Sequence, residues 1–263
     1  MPRFAANVST MYGELDFPDR FAAAAKAGFR AVEMQEPYDF PAEQVRACLD
    51  EYDLEIVLTN VPSGNKAAGD GGLAAMPGRE RDFAVTMETA LAYAAVTGSP
   101  RLHVMSGVMP SGSVINDCEE VLIANLKMAA RMAAGQGVML LIEPINTLDV
   151  PGYVMSRQSQ ARRIVEAVDA DNVRIQFDFY HCQIMEGDLV RNFEAQLPLI
   201  GHVQISDNPG RHEPGTGEIN YDHIFAVIDA SGYDGWVGAE YRPKGDTVAG
   251  LGWFEAVGSR SRA

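Results

Sequence analysis

The sequence predicts an α/β fold, namely a single (β/α)8 TIM barrel that spans residues 1–263. Strand-like and helix-like segments alternate along the whole chain, and its 263 residues suffice for one such barrel, which typically has about 250. In the C-terminal half, four short apolar runs each carry a carboxylate or amide residue near their end, at separations of 35, 26 and 36 residues. Each separation is close to one strand-plus-helix unit, because a βα crossover needs roughly 30 residues.

Eight segments have the apolar and β-branched composition of strands. In chain order they are 3–9, 31–36, 54–60, 101–107, 138–144, 173–178, 199–207 and 235–241. The central segments are nearly continuous apolar runs, as expected for a parallel sheet that is buried on both faces. A doubly wound sheet is the alternative fold. It would normally carry a glycine-rich phosphate loop after the first strand, and NVSTMYGELD does not supply one.

Helical segments separate these strands. The first contains the Ala-rich run FAAAAKA, with Asp16 as its predicted cap, Pro18 in its first turn and Gly28 just past its end. The others are predicted at 41–52, 79–97, 116–134, 157–168, 188–195 and 221–232. Residues 61–78 form a long loop rich in Gly, Ala and Pro. Loops of this length inside compact domains are usually functional or disordered.

Composition restricts the partners of the chain. With 36 acidic and 21 basic residues, the formal net charge is −15, which opposes nucleic-acid binding because phosphate contacts need a basic surface. No apolar run approaches the roughly 20 residues of a membrane span, and MPRFAANVST lacks the apolar core of a signal peptide. The three cysteines, Cys48, Cys118 and Cys182, form no CxxC pair. This odd, sparse set predicts a reducing, cytoplasmic location.

The four strand-end residues predict a metal site. They are Glu143 in LLIEP, Asp178 in IQFD, Gln204 in HVQISD and Glu240 in VGAEY. The ends of parallel barrel strands meet on one face, and three carboxylates there repel one another unless a cation neutralises them. Oxygen ligands suit a hard divalent ion, so the expected cofactor is Mg²⁺ or Mn²⁺, with no nucleotide cofactor.

Each of these residues also has a purely structural explanation. Glu143 and Glu240 could form salt bridges with neighbouring basic residues, since an unpaired buried glutamate is costly. Asp178 could cap the helix that follows its strand. Gln204 could simply be hydrogen-bonded within the core. The fourfold recurrence of the spacing favours the metal site over these separate explanations.

Longer motifs resemble the hydroxypyruvate isomerase branch of the xylose isomerase-like barrels. They are MPRFAANVSTMYGE, LIEPINTLDVPGY, IQFDFYHCQIMEGD, HVQISDNPGRHEPGTGEINYDHIF, and GWVGAEYRP followed by GLGWF, and they extend from residue 1 to residue 254. The resemblance implies that Glu143 and Glu240 carry the proton chemistry and bind the metal with Asp178 and Gln204. Sugar 3-epimerases of the same superfamily typically have His at the third ligand position, so Gln204 favours the hydroxypyruvate branch.

The function implied by the resemblance is a metal-dependent isomerase that interconverts hydroxypyruvate and tartronate semialdehyde, which is 2-hydroxy-3-oxopropanoate. Its substrate is then a small hydroxy-carbonyl acid. A 2-oxo-tetronate isomerase and a ketose 3-epimerase are the alternatives within the superfamily.

A DNA-repair endonuclease needs a histidine-rich zinc cluster and a basic groove, which five scattered histidines and a charge of −15 oppose. A non-enzymatic binding protein would leave the two buried glutamates unexplained. A homo-oligomer is compatible with the sequence.

Three further residues are predicted to bind substrate. His181 follows Asp178 by three residues, Arg211 lies on a Gly- and Pro-rich loop after the seventh strand, and His103 lies in the fourth strand. Arginine suits a carboxylate because its guanidinium forms a two-pronged hydrogen bond. A packed histidine and a solvated loop arginine are the structural alternatives. Three further candidates at strand ends are Asn60, Glu36 and Asn146.

Overall fold

The computed structural model, which describes residues 1–260, is a closed barrel of eight parallel strands in sequential order. The strands are β1 Arg3–Asn7, β2 Ala31–Met34, β3 Glu55–Asn60, β4 Arg101–His103, β5 Met139–Ile142, β6 Val173–Asp178, β7 Ile200–Ile205 and β8 Trp236–Ala239. Each strand pairs with the next, and β8 closes on β1. The predicted (β/α)8 barrel is therefore confirmed. The last part of the predicted domain, 261–263, lies outside the described residues.

Helices surround the barrel. They are α1 Asp19–Lys26, α2 Ala42–Glu51, α3 Glu80–Thr97, α4 Ile115–Ala134, α5 Gln158–Val168, α6 Phe179–Met185, α7 Leu189–Gln196, α8 Tyr221–Ala230 and α9 Gly252–Arg260. Short 3₁₀ turns occur at Lys66–Ala68, Leu197–Leu199 and Ala249–Leu251. Across residues 1–260, the helices lack the combination of length and apolar content that a membrane span requires.

Two helix predictions need correction. The side chain of Asp16 does not cap α1, which begins at Asp19 after Pro18 and has no side-chain cap. The segment between β6 and β7 holds two helices instead of the single one predicted at 188–195. The additional helix, α6, begins directly after Asp178 and is only one to two turns long.

The barrel has an apolar shell and a partly polar interior. Outward-facing residues such as Phe177, Val203 and Val237 pack against the helices, as the burial of both faces of a parallel sheet requires. Inside, a small apolar cluster that includes Ala5 and Leu141 fills one level of the barrel. Above it, the interior becomes polar, and this polar level forms the floor of the site described below.

Candidate active site

The predicted carboxylates of the site lie at the carboxyl ends of three strands, β5, β6 and β8. Glu143 directly follows β5, Asp178 ends β6, and Glu240 directly follows β8. All three carboxylates are buried. Alternation along each strand explains their direction, since residues two apart face the same side of a strand. The expected convergence of carboxylates at one mouth is what this arrangement provides.

Glu143 lies among two histidines and a second carboxylate. Its Oε2 is 3.5 Å from His103 Nε2 and its Oε1 is 3.8 Å from His181 Nε2. His181 Nε2 is also 3.7 Å from Asp178 Oδ2. Ligand-type atoms of Glu143, Asp178 and His181 fall within 4.8 Å of one another. The two carboxylates on this side of the mouth could hold a cation.

Asp178 serves the fold and the site with different oxygens. Its Oδ1 accepts a hydrogen bond of 2.7 Å from the backbone N–H of Tyr180 and so caps α6. Its Oδ2 has no hydrogen-bond partner although it is buried. The capping role considered from sequence is therefore real, and it leaves one oxygen directed at Glu143 and His181.

The orientation of His181 follows from its neighbour Asn146. Backbone N–H of Asn146 donates to Nδ1 of His181 at 3.3 Å, and the Asn146 amide lies 2.7 Å from the same nitrogen. Because Nδ1 accepts, the proton of the neutral ring lies on Nε2, which faces the carboxylates. His181 thus presents an N–H to the site. An N–H suits a substrate oxygen better than it suits a metal.

Burial and charge shift the pKa values of this group. Burial, together with the Asp178 and Glu240 carboxylates, raises the pKa of Glu143 well above its ordinary value. Burial raises the pKa of Asp178 to about 7 despite the opposing charge of Arg211. Burial lowers the pKa of His103 to about 3 and that of His181 well below its usual range. Burial in this pocket therefore disfavours the negative charge of its crowded carboxylates and also disfavours protonation of its histidines.

Glu240 has a different environment. Its Oε1 accepts hydrogen bonds from Asn7 Nδ2 at 3.2 Å and from Gln35 Nε2 at 2.9 Å. Its Oε2 pairs with the guanidinium of Arg211, whose Nη2 also lies 3.9 Å from Asp178 Oδ2. Burial opposes the charge of Arg211, but the carboxylates of Glu240, Asp178 and Glu143 raise its pKa above the ordinary value.

A buried aspartate shapes the loop that carries Arg211. Asp207 accepts four backbone N–H bonds, of which those from Gly215 and Gly217 are 2.9 Å long. Arg211 itself has φ +56°, a left-handed conformation that is uncommon for residues other than Gly. Its guanidinium lies over the ring of Tyr180 at 5.4 Å from the centroid. The loop therefore holds Arg211 over the mouth of the barrel.

Comparison with known proteins identifies the family of this barrel. The profile of the xylose isomerase-like TIM barrel family matches residues 21–257. The chain belongs to this family. A 2-oxo-tetronate isomerase from Cupriavidus necator is 52% identical over 255 residues, which cover 97% of this chain and 98% of that protein. Hydroxypyruvate isomerase from Escherichia coli is 44% identical over 255 residues, covering 97% and 99%.

A solved structure has the same architecture. The crystal structure of an AP endonuclease, family 2, from Brucella melitensis superposes with a TM-score of 0.95 at 46% identity, covering 97% of this chain and 99% of that one. The two relatives named above are isomerases, in agreement with the predicted enzyme class. Membership of the xylose isomerase-like family thus confirms the resemblance seen in the sequence motifs.

The fourth predicted ligand of this xylose isomerase-like barrel has an amide that is already hydrogen-bonded. Gln204, on β7, is buried; its Oε1 accepts a hydrogen bond of 2.6 Å from Gln176, and its Nε2 donates to Glu33 at 2.7 Å. It is the register partner of Asp178 on the neighbouring strand. The structure therefore places Gln204 at the level of Asp178, with its amide engaged in a buried network.

Sequence reasoning missed three polar residues of the site. Asn7 and Gln35 hold Glu240, and Glu33 lies beneath it in the barrel interior. Glu33 lies on β2 and Gln35 directly follows that strand, and alternation puts both side chains inside the barrel. That i, i+2 spacing in AVEMQE was the signal that could have revealed them.

Proposed function

We propose that this chain is a divalent-metal-dependent, aldose–ketose-type isomerase that interconverts hydroxypyruvate and tartronate semialdehyde. The observation that carries the proposal is the pair of buried glutamates, Glu143 and Glu240, at the mouth of a barrel of this family. Glutamates on two different strands can contact a planar substrate from different sides. A structural role alone does not account for carboxylates packed against one another in a buried site.

The residues present fit a hard divalent cation. Buried atoms without a hydrogen-bond partner include Glu143 Oε1 and Asp178 Oδ2. Such atoms are costly to leave unsatisfied, and a cation would satisfy both while relieving their repulsion. Glu143, Asp178, Gln204 and Glu240 would hold the ion, with Mg²⁺ or Mn²⁺ favoured by oxygen ligands. When bound, the ion would act as a Lewis acid towards the carbonyl and hydroxyl oxygens of the substrate.

The glutamates would move the proton. In hydroxypyruvate, the base removes a proton from the hydroxymethyl carbon, and the electron pair forms the double bond of an enediolate. A proton then returns to the former carbonyl carbon. The terminal hydroxyl loses its proton to become the aldehyde oxygen, and the former carbonyl oxygen takes up a proton to become the new hydroxyl. The reaction is reversible, so each glutamate acts as base in one direction and its conjugate acid serves the other. His181, with its Nε2–H directed into the site, would donate to a substrate oxygen.

Arg211 would bind the carboxylate of the substrate. Its guanidinium already lies between the carboxylates of Glu240 and Asp178. A substrate carboxylate would replace part of this pairing with a two-pronged hydrogen bond. His103, beside Glu143, would border the same pocket. The unpaired state of Cys48, Cys118 and Cys182 supports a reducing, cytoplasmic location for the enzyme.

A 2-oxo-tetronate is the second candidate substrate. The observation in its favour is the 52% identity to the Cupriavidus necator 2-oxo-tetronate isomerase, compared with 44% to the Escherichia coli hydroxypyruvate isomerase. Both candidates carry the same α-hydroxy-carbonyl unit and the same carboxylate. They therefore make the same demands on the two glutamates and on Arg211, and differ in the chain length that the pocket must accept.

A turnover assay tests the proposal. Purified protein is incubated with hydroxypyruvate, with 2-oxo-tetronates and with ketohexoses, after chelation and after return of Mg²⁺ or Mn²⁺. We expect metal-restored turnover of a short hydroxy-oxo acid and none of a neutral ketohexose. Turnover that survives chelation would contradict the metal dependence. Turnover of ketohexoses alone would replace the proposal with a ketose 3-epimerase.

A further inference from the structure

A carboxylate that the proposed chemistry does not use lies in the centre of the barrel. Glu33, on β2, has 0% exposure. Its Oε1 accepts hydrogen bonds from Asn7 Nδ2 at 3.0 Å and from Gln204 Nε2 at 2.7 Å. Its Oε2 is 2.6 Å from His202 Nε2. A buried charge with this many partners is costly to assemble and requires an explanation.

The barrel is shaped around this side chain. Gly238 on β8 faces Glu33, and a Cβ at position 238 would lie 2.1 Å from Glu33 Oε2. The pairing of β2 with β3 shifts register between Val32 and Glu33, a local irregularity of the kind that re-aims side chains. Two strands thus depart from regular side-chain packing at the point where Glu33 is accommodated.

In all three hydrogen bonds at Glu33, the neighbouring side chain donates and the carboxylate accepts. Nδ1 of His202 has no hydrogen-bond partner, which fits a ring that carries its proton on Nε2 and donates it to Glu33. Asn7 and Gln204 likewise present amide N–H groups. All three neighbours can donate, so the carboxylate acts as an acceptor towards each of them.

This direction decides which end of Gln204 faces away from Glu33. The oxygen and nitrogen ends of an amide have nearly the same shape, and only their hydrogen-bond partners distinguish them. Because Glu33 takes the N–H end, Oε1 of Gln204 points to the other side, where it accepts from Gln176. A carbonyl oxygen has a second lone pair, and Gln204 is in register with Asp178.

We infer that Glu33 is a positioning residue for the metal site: it holds the amide of Gln204 so that oxygen, the ligand atom, and not nitrogen is presented at the level of Asp178. Through Asn7, which donates to both Glu33 and Glu240, it also connects to the second glutamate of the site. This inference rests on the metal site of the proposed function. Partners that orient metal ligands typically change metal affinity by 10- to 100-fold when they are removed.

The test measures Mn²⁺ binding by titration calorimetry. The protein is folded, has been freed of metal with a chelator and contains no substrate. Glu33→Met removes the acceptor at similar volume, and we expect its Mn²⁺ dissociation constant to rise about 10- to 100-fold. Glu33→Gln keeps one oxygen for Gln204, because His202 can shift its proton to Nδ1 and accept instead. It should therefore recover most of the affinity.

A second background separates orientation from general stability. A carboxylate has two equivalent oxygens, so in Gln204→Glu protein the amide direction no longer matters. Adding Glu33→Met to Gln204→Glu should leave Mn²⁺ affinity unchanged or improve it, because it removes one of two carboxylates that face each other. Loss of affinity of equal size in both backgrounds would overturn the positioning role.

Other outcomes are also decisive. A folded Glu33→Met variant that binds Mn²⁺ like the wild type would overturn the inference and leave the proposed function intact. Wild-type protein that binds no Mn²⁺ would instead refute the metal site itself. Glu33→Gln protein that loses as much affinity as Glu33→Met would assign the effect to charge and reject the orientation argument. If Glu33→Met does not fold, Glu33→Asp, which retracts the carboxylate from Gln204, replaces it, and unchanged Mn²⁺ affinity there would again refute the role.

Discussion

The two glutamates of the site have opposite environments although both are buried at strand ends. Glu240 is held by Asn7 and Gln35 on one oxygen and by Arg211 on the other. Glu143 has an oxygen without a hydrogen-bond partner and lies near Asp178, another carboxylate. One glutamate is thus fixed by the protein, whereas the other is left with unsatisfied bonding capacity.

This difference indicates how the site divides its tasks. A carboxylate that is already satisfied keeps its geometry whether or not a ligand is bound, which is the preorganisation that catalysis needs. A carboxylate that is buried and unsatisfied stores a cost that a bound cation can relieve. Four predictions test this division, and the largest expected effect is the loss of catalysis.

Removing the charge of either glutamate should stop the reaction. An amide cannot accept the proton, so Glu143→Gln and Glu240→Gln should each reduce kcat by about 10²–10⁴-fold while the fold survives. Turnover at saturating metal, measured beside a thermal melt, provides the check. A variant that keeps more than about half of its activity does not carry the acid or base.

Removing Arg211 should weaken substrate binding. Arg211→Ala should raise KM for hydroxypyruvate by the equivalent of about 1.5–3 kcal/mol, the value of a hydrogen bond to a charged group. Arg211→Lys should restore only part of this, because a point charge cannot form the two-pronged contact. Steady-state kinetics on hydroxypyruvate and on a ketose decide the matter. An unchanged KM for hydroxypyruvate would remove Arg211 from the substrate site.

Loosening Glu240 should have a smaller effect. Gln35→Ala deletes one of three donors to Glu240, and we expect kcat to fall by the equivalent of about 0.5–1.5 kcal/mol, the net value of one hydrogen bond. Gln183→Ala is a matched control, since Gln183 donates to Glu218 outside the site. Equal kinetics for the two variants would show that Glu240 does not depend on this support.

The fourth prediction concerns stability without metal, which is measured by unfolding and not by turnover. In chelated protein, Glu143→Gln replaces a poorly satisfied buried carboxylate and should leave the melting temperature unchanged or raise it. Glu240→Gln weakens the partner of the buried Arg211 and should lower the free energy of unfolding by about 1–3 kcal/mol, which is a shift of a few degrees for a chain of this size. Melts that move equally in both variants would show that the two environments do not differ energetically.

Much of this site was predictable from one periodic feature. Parallel strands that alternate with helices bring strand ends together, so the positions of Glu143, Asp178 and Glu240 followed from their spacing. The position of α6 did not follow, because FYHCQIM is poor in strong helix formers and its start depends on the cap supplied by Asp178. The sequence offered Asp178 as a cap, but only the hydrogen bond from the N–H of Tyr180 shows that the helix begins directly after it.

The polar interior was harder to predict for a different reason. Glu33 and Gln35 lie in a strand of four residues and its extension, and the direction of each side chain depends on where the strand begins. A register shift occurs between Val32 and Glu33, so a one-residue error reverses inside and outside. Asn7 depends on the same alternation in β1. Polar residues within strands can therefore be placed only after the register is known.

The contact between Gly238 and Glu33 links two positions that are far apart in the chain. A side chain at 238 needs the space that the Glu33 carboxylate fills, so each residue sets the size allowed at the other. Mutational scans that change one position at a time will report both as intolerant and will miss that they form a single unit. Anyone who redesigns the floor of this pocket for a different substrate must therefore choose the two residues together.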